Sequence, residues 1–251
     1  MISAQQLEKL SKQYHTTLFP NTIREYFQHI FLSELYKLPE AEKLLFKGGT
    51  ALRIIYGSPR FSEDLDFSIF KTPKHQIKHL VEELFVKVLA EIERMGITTE
   101  MGKKSGATTG GYFGVATLTV LDYPKLEIEI NVSSRNGRDA KGEVDSVISD
   151  FTPSYNITHL PQEEIVDEKI FGALKNRRNP RDFYDLYFLM RKNMISSEQK
   201  KELSKMKDDI TTWAKKIDFQ AELGTFLPTD QQSIIRDFAH TLEAELNRQL
   251  G

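Results

Sequence analysis

Residues 46–67 read FKGGTALRIIYGSPRFSEDLDF, and they follow the apolar pair Leu44 and Leu45. An apolar run that is broken by two glycines predicts a short buried strand and a tight turn, because glycine adopts backbone conformations that other residues avoid. The helical spacing of TALRIIYG predicts a short helix that ends at Gly57, and LDFSIF predicts a second strand. The predicted order is therefore strand, glycine turn, helix and strand.

Two acidic residues, Asp64 and Asp66, lie two positions apart in the second of these strands. Side chains of a strand alternate between its faces, so both carboxylates leave the same face. Like charges this close repel each other, and aspartate is disfavoured in strands. A shared divalent cation would relieve the repulsion. The alternative is an exposed edge strand whose charges keep the protein soluble.

The residues Gly48, Gly49 and Thr50 lie just upstream of the two carboxylates, between a strand and the start of a helix. Glycines let backbone N–H groups approach phosphates, and the N-terminus of a helix favours anions. Phosphoryl and nucleotidyl transfer require metal ions that are held by carboxylates in a fixed geometry. The combination predicts a metal-dependent nucleotide site, whereas a Gly-Gly pair that only makes a turn is the alternative.

A third carboxylate is expected from a neighbouring strand, and KLEIEINV at residues 125–132 offers two. Its alternation places Glu127 and Glu129 on one polar face and the leucine, isoleucines and valine on the other. We predict Glu129 as the third metal ligand and keep Glu127 as the substitute. A solvated strand face is the alternative.

The hydropathy pattern of the whole chain changes at about residue 160. Upstream, helical spacing and strand-like alternation are interspersed, with a Gly-, Ser-, Thr- and Lys-rich loop expected at residues 101–111. Downstream, the pattern is helical throughout. We therefore predict an α+β protein with two parts: a mixed sheet with flanking helices over residues 1–160 and a helical domain over residues 161–251. Helices are expected at 4–15, 20–37 and 75–96, and a hairpin at 111–134.

The composition excludes several kinds of site. The 251 residues include no cysteine, so disulfides, thiolate zinc sites and cysteine nucleophiles are ruled out. No run of about 18 apolar residues occurs, and the first residues form a polar amphipathic pattern rather than a secretion signal. We expect a cytoplasmic protein that does not contact membranes.

A formal net charge of -2 argues against a protein that coats nucleic acid. A nucleic-acid substrate would need a local basic patch. The best candidate is KNRRNPR, with Lys175, Arg177, Arg178 and Arg181, for which a solvated surface cluster is the alternative.

The motifs resemble those of the AbiEii/AbiGii toxin family of nucleotidyltransferases, within the DNA polymerase β-like superfamily. The family's first motif is a glycine pair with Ser or Thr, followed by an Asp-x-Asp strand, and its later motifs are a helical lysine and an Arg-Asp-x-x-Asp-Leu helix. The resemblance spans about residues 40–190. The matching residues are Gly48, Gly49, Thr50, Asp64 and Asp66 for the first motif, and Lys169, Arg181, Asp182 and Asp185 for the later ones.

The resemblance implies a mixed sheet of the polymerase β type followed by helices, with Mg²⁺ (or Mn²⁺) and a nucleoside triphosphate as cofactor and substrate. The metal is expected at Asp64, Asp66 and Glu129. The other catalytic candidates are Lys169, Asp182 and Asp185; of the two aspartates, one would serve the site while the other caps the helix or pairs with Arg178 or Arg181. The nucleotide-binding candidates are Lys47, Gly48, Gly49, Thr50, Arg60, Ser62, Lys169 and Arg181.

The resemblance also implies an activity: transfer of a nucleotidyl group to an acceptor hydroxyl, with a tRNA 3′ end or another RNA as the expected acceptor. The chain would then be the toxin of a toxin–antitoxin or phage-defence pair, with an antitoxin encoded nearby. Two alternatives remain open. One is nucleotidylation of a protein side chain, and the other is a non-catalytic binding partner that keeps the fold.

Overall fold

A computed structural model describes residues 2–134 and 140–251, and the chain divides into two compact units. Unit 1 comprises Met1–Gly57 and Phe61–Leu160, and unit 2 comprises Ser58–Arg60 and Pro161–Gly251. Among the described residues, none of the helices combines the length and the apolar composition that crossing a lipid bilayer requires.

Unit 1 is built on one mixed sheet, and its eight strands in the described residues are β1 (Leu44–Lys47), β2 (Leu65–Ile69), β3 (Thr98–Met101), β4 (Gly106–Thr108), β5 (Gly111–Thr119), β6 (Leu126–Ser134), β7 (Glu143–Val147) and β8 (Tyr155–His159). The order of strands is β3-β5-β6-β2-β1-β8-β7, and β4 pairs with β5. The β1–β8 and β2–β6 pairs are parallel, and the other pairs are antiparallel. This mixed sheet with its helices confirms the α+β class.

Unit 1 has four α-helices among its described residues, α1 (Ala4–Gln13), α2 (Ile23–Leu35), α3 (Gly48–Ile54) and α4 (Lys74–Arg94). The helices α2 and α4 cover the apolar face of the sheet. Phe85 of α4 contacts Phe67 of β2 and Phe31 of α2, with ring centroids 6.5 Å and 5.4 Å apart. The buried positions of α4 recur at helical spacing, which is why this amphipathic sequence forms a helix here.

Several elements differ from the sequence-based expectation. The segment 101–111, expected as a loop, contains β4, which pairs with β5 over three residues. The strands β3, β7 and β8 were not predicted, because each has only four or five residues and its pattern shows no clear run of alternation. The glycine pair belongs to the first turn of α3 rather than to a separate turn. Short strands form where a longer strand offers hydrogen-bond partners, so their own sequences carry little signal.

Unit 2 consists mainly of helices joined by turns and loops, and it includes the three residues Ser58–Arg60. The α-helices are α5 (Gln162–Asp167), α6 (Lys175–Arg177), α7 (Pro180–Arg191), α8 (Ser197–Ser204), α9 (Lys207–Ala214), α10 (Phe219–Leu223) and α11 (Phe238–Leu250). The segment Glu168–Leu174 is π-helical and continues α5 into α6. The core of unit 2 includes an aromatic cluster in which Phe238 contacts Phe219 and Tyr184, with centroids 4.7 Å and 5.8 Å apart.

Candidate active site

The central feature of unit 1 is a row of polar residues across three neighbouring strands. Asp66 of β2 pairs with Lys47 at the end of β1 and with Asn131 of β6. Directly paired residues present their side chains on the same face of a sheet, with Cβ atoms about 5 Å apart. The row lies opposite the apolar face that α2 and α4 cover, since the neighbours Leu65 and Phe67 point into the core.

Gly48 lies directly against the carboxylate of Asp66. Its φ of +84° is a conformation that L side chains rarely adopt, and a Cβ added there would fall 2.2 Å from Oδ2 of Asp66. Any larger residue would therefore displace the carboxylate. The sequence predicts that Gly48 approaches phosphate; in the structure its lack of a side chain makes room for Asp66.

Thr50 fixes the segment that leads into β2. Its hydroxyl donates a hydrogen bond to the backbone carbonyl of Asp64 at 2.5 Å, and the residue has no exposed surface. The sequence predicts that this hydroxyl binds phosphate. In the structure it is engaged inside the protein, where it ties α3 to the residue that precedes the strand.

Helix α2 also contacts the residues that lead into β2. The Gln28 amide donates to the carbonyls of Ser62 and Glu63, at 3.0 Å and 3.2 Å. Arg24, on the same face of α2, forms an ion pair with Glu63 at 3.5 Å. These contacts fix the backbone of Ser62 and Glu63, which lead through Asp64 into β2. Ser62 is one of the residues that the sequence predicts to bind the nucleotide.

Arg24 is a cation near Asp64 that the sequence analysis missed. Burial lowers the pKa of Arg24 below its ordinary value, although the charges of Glu63 and Asp64 oppose this shift. Its Nε is buried without a hydrogen-bond partner among the described residues. The sequence placed Arg24 on a helix whose spacing indicated only core packing, so nothing in the pattern marked it as part of the site.

The sheet register distinguishes between the two glutamates of β6. Leu65 pairs with Ile130 and Asp66 with Asn131, so a continuation by one residue puts Glu129 level with Asp64. Glu127 lies two residues further along the strand, away from the aspartates. Both glutamates are exposed. The register favours Glu129 as the third carboxylate. Asn131, which pairs with Asp66, is a further polar residue of the row to which the sequence assigned no role.

The donor set suits a magnesium ion. Mg²⁺ prefers oxygen ligands and is usually bound by one or two carboxylates together with substrate phosphates. Asp66 offers a carboxylate on the polar face of β2, where Gly48 leaves space for it, and Asp64, the residue before this strand, would offer the second. In the part of the chain that the structure describes, no three acidic or histidine side chains converge closely enough to hold a metal by themselves. The role of Glu129 as a ligand therefore stays a prediction.

In unit 2, three predicted site residues meet although they are far apart in the sequence. The guanidinium of Arg60 donates to Asp185 through Nε at 2.9 Å and through a terminal nitrogen at 3.1 Å. The ammonium of Lys169 donates to Oδ2 of the same carboxylate at 2.7 Å. Burial alone raises the pKa of Asp185, but the charges and hydrogen bonds of Arg60 and Lys169 outweigh it and hold that pKa below its usual range.

Asp182, the other aspartate of this helix, has a capping role. Its Oδ2 accepts a hydrogen bond from the backbone N–H of Asn179 at 2.9 Å, in a capping box at the start of α7. Arg177 donates to the same carboxylate through Nε at 3.1 Å. The sequence left open which aspartate caps the helix and named Arg178 or Arg181 as its partner. The structure assigns the cap to Asp182 and shows Arg177, which the sequence did not name, as a partner of its carboxylate.

The arginines of KNRRNPR also have partners within unit 2. The guanidinium of Arg178 lies 3.9 Å from the ring centroid of Trp213, and that of Arg181 lies 5.1 Å from that of Phe226. Such contacts are attractive because an aromatic ring carries negative charge on its face. Lys175, Arg177 and Arg178 remain exposed. Their part in binding an acceptor, and that of Arg181 in binding the nucleotide, stay predictions.

Comparison with known families gives one extended match. A sequence model of the family described as "Nucleotidyl transferase AbiEii toxin, Type IV TA system" matches residues 30–248. The matched range includes the predicted residues of both units, whereas Arg24 and Gln28 lie upstream of it. No curated protein matches the sequence.

Two solved structures share the fold. A candidate nucleotidyltransferase from H. pylori superimposes with a TM-score of 0.56 and 20% sequence identity, over 98% of this chain and 98% of that chain. JHP933 from Helicobacter pylori superimposes with a TM-score of 0.57 and 20% identity, over 99% of this chain and 96% of that chain. At this identity the likeness establishes a common fold.

Proposed function

Because the chain belongs to the AbiEii family of nucleotidyl transferase toxins of type IV toxin–antitoxin systems and is a nucleotidyltransferase, we propose that Mg²⁺ at Asp64 and Asp66 supports its reaction. The observation that carries this proposal is the fixed position of the two aspartates. Asp66 lies against Gly48 in the polar row, and the carbonyl of Asp64 accepts the hydrogen bond from Thr50. Carboxylate oxygens are the ligands that Mg²⁺ prefers, usually together with phosphate oxygens of the substrate.

Each chemical task of nucleotidyl transfer has a candidate residue in the chain. Asp64, Asp66 and Glu129 would be the carboxylate ligands, and the backbone of Gly48 and Gly49 would approach the phosphates. When bound, Mg²⁺ supplies charge neutralisation on the triphosphate and lowers the pKa of the attacking hydroxyl. Lys169 would neutralise a further phosphate charge. The acceptor oxygen bonds to the α-phosphorus as its proton passes to solvent water, the bond from the α-phosphorus to the bridging oxygen breaks, and pyrophosphate leaves.

We further propose that the acceptor is RNA, with a tRNA 3′ end as the first candidate, and that the chain acts in the cytoplasm as the toxin of an abortive-infection or phage-defence pair. The exposed Lys175, Arg177 and Arg178 support an RNA acceptor, because phosphate backbones are bound by clustered cations. An antitoxin encoded nearby is the expected partner. A protein side chain is the second candidate acceptor. A non-catalytic role is not proposed, since the family is one of transferases.

The test uses the purified full-length chain with Mg²⁺, total tRNA and each α-labelled nucleoside triphosphate in turn. The variants are Asp64→Asn, Asp66→Asn and Glu129→Gln, with Glu127→Gln as the matched control on the same strand face. We expect the wild type to label tRNA with one preferred nucleotide. Each aspartate variant should lose at least about 100-fold in rate, a size typical for the removal of a group that acts on the transition state.

The outcomes separate the candidates. Label in tRNA that depends on Mg²⁺ and on both aspartates supports the proposal and names the nucleotide. Label in protein instead of tRNA replaces the acceptor by a side chain. If Glu127→Gln loses activity and Glu129→Gln does not, the third carboxylate is Glu127. A wild type that shows neither transfer nor Mg²⁺-dependent nucleotide binding would overturn the proposed reaction.

A further inference from the structure

Arg60 is predicted from the sequence to bind the nucleotide, but its contacts in unit 2 indicate a different task. Its side chain and that of Asp185 are only 3% and 1% exposed. Nε and a terminal nitrogen of Arg60 reach the two oxygens of Asp185 at 2.9 Å and 3.1 Å. This is the forked geometry in which a guanidinium binds a carboxylate most strongly. The Nε edge of the Arg60 guanidinium is therefore occupied by Asp185 before any phosphate binds.

Lys169 is the member of this group that can reach a ligand. Its side chain is 12% exposed, several times more than its two partners. An ammonium has three N–H donors. Among the described residues, one of them is used at 2.7 Å on Oδ2 of Asp185. The other two donors can therefore serve a phosphate while the first keeps the ammonium in place.

The charges of the three side chains reinforce these contacts. Arg60 and Lys169 are cations that both contact the carboxylate of Asp185, so each of them stabilises its ionised form. The depressed pKa of Asp185 keeps its carboxylate ionised, so the hold on Lys169 persists throughout the neutral pH range.

We propose that Arg60 is a positioning residue that acts through Asp185: it fixes the carboxylate, and the carboxylate holds the Lys169 ammonium where it meets the nucleotide phosphates. The inference rests on the proposed function, in which Lys169 contacts the nucleotide. Arg60 itself does not touch the substrate. A flexible lysine loses much side-chain entropy when it is fixed, so a preformed anchor increases the rate by placing the charge before the substrate arrives.

A double-variant cycle on the full-length protein tests this. Wild type, Arg60→Gln, Lys169→Ala and the double variant are compared for kcat/KM in the transfer of the preferred α-labelled nucleotide to tRNA. We expect Lys169→Ala to lose about 100-fold and Arg60→Gln about tenfold or more. The double variant should be no slower than Lys169→Ala alone, because Arg60 has nothing left to position.

Two further variants separate positioning from mere stabilisation. Arg60→Lys keeps the positive charge but cannot make the paired hydrogen bonds of a guanidinium, so it should recover part of the activity lost in Arg60→Gln. If Arg60→Gln does not fold, Arg60→Lys replaces it in the double-variant cycle. Glu245→Gln is the matched control, since Glu245 is a buried carboxylate of unit 2 that accepts from Nε of Arg248 at 3.0 Å. It should lower the melting temperature and leave kcat/KM unchanged.

Three results would overturn the inference. If the losses of Arg60→Gln and Lys169→Ala multiply in the double variant, Arg60 binds the substrate independently. If Arg60→Gln lowers only the melting temperature, as Glu245→Gln does, its role is structural. If the wild type transfers no nucleotide, both the proposed function and this inference are overturned. If the wild type is active but the Arg60 variants give one of the first two results, only this inference is overturned.

Discussion

The close approach of Gly48 to Asp66 makes a glycine necessary at this position for two separate reasons. The φ of +84° costs an L residue about 1–2 kcal/mol, because its Cβ crowds the neighbouring carbonyl. The second reason is specific to the site, since a Cβ would lie 2.2 Å from Oδ2 of Asp66. The first effect lowers stability, whereas the second moves a proposed metal ligand. The two effects can be separated by experiment.

We expect Gly48→Ala to reduce nucleotidyl transfer by about 100-fold, because a displacement of about 1 Å in a positioned group costs that much. Gly57→Ala is the matched control: Gly57 also has a positive φ of +73°, but nothing lies within 4 Å of its added Cβ. It should lose about as much stability in urea unfolding and keep its transfer rate. Equal transfer rates for the two variants would contradict the proposed contact between Gly48 and the catalytic carboxylate.

At the scale of the element, α7 places two aspartates three residues apart in different tasks. Asp182 lies in the first turn, where the backbone N–H groups lack helical partners, and it satisfies the N–H of Asn179. Asp185 lies one turn further along, where it meets Arg60 and Lys169. The position along the helix therefore decides which carboxylate caps the helix and which one is available to the predicted site.

We predict that Asp182→Ala lowers the free energy of unfolding by about 1 kcal/mol, the usual effect of losing a helix cap. Asp182→Asn keeps an oxygen that can accept from Asn179 and should retain most of that stability. Both variants should transfer nucleotide at rates close to the wild type. Urea unfolding and the labelled-transfer assay give the two readouts. A stable Asp182→Asn without activity would instead make Asp182 catalytic.

Much of this architecture could be predicted from local patterns. The succession of β1, α3 and β2 followed from one stretch of sequence, and the hairpin of β5 and β6 followed from alternation around Asp122, Tyr123 and Pro124. The strands β3, β4, β7 and β8 were missed, because they are short and depend on their neighbours for hydrogen bonds. Local sequence carries the long elements well and the short ones poorly.

The contacts of the candidate site show the corresponding limit. Asp64 and Asp66 could be recognised because their whole signal lies within three residues. The pairing of Arg60 with Asp185 joins residues 125 positions apart, and that of Arg24 with Glu63 joins two elements that the sequence treats separately. Hydrogen-bond partners at such distances depend on the complete fold. The types of residue were therefore predictable, but the contacts of Thr50, Arg60 and Asp182 were not.

At the scale of the whole molecule, stability against acid depends on groups that the fold keeps from binding protons. His29 is 5% exposed, and its Nδ1 lies 2.9 Å from the hydroxyl of Tyr155. Burial, with a smaller effect from the charge of Arg53, lowers the pKa of His29 from 6.5 to about 3. Asp185, Glu83 and Glu245 also have depressed pKa values, but their effects lie below their ordinary values of 3.8 for Asp185 and 4.5 for the two glutamates. Above pH 4.5, His29 is therefore the group to test.

We predict that the free energy of unfolding falls as the pH decreases from 6.5 towards 3, because the unfolded chain protonates His29 in this range and the folded chain does not. Each unit of pKa difference corresponds to about 1.4 kcal/mol. His29→Gln can still hydrogen-bond to Tyr155 but does not titrate, so its stability should fall less steeply between about pH 6.5 and 4.5, where the titration of His29 dominates.

The exposed His240 provides the control variant His240→Gln, whose stability should follow that of the wild type. Urea unfolding by circular dichroism at several pH values gives the slopes, and identical slopes for wild type and His29→Gln would show that His29 is protonated equally in both states.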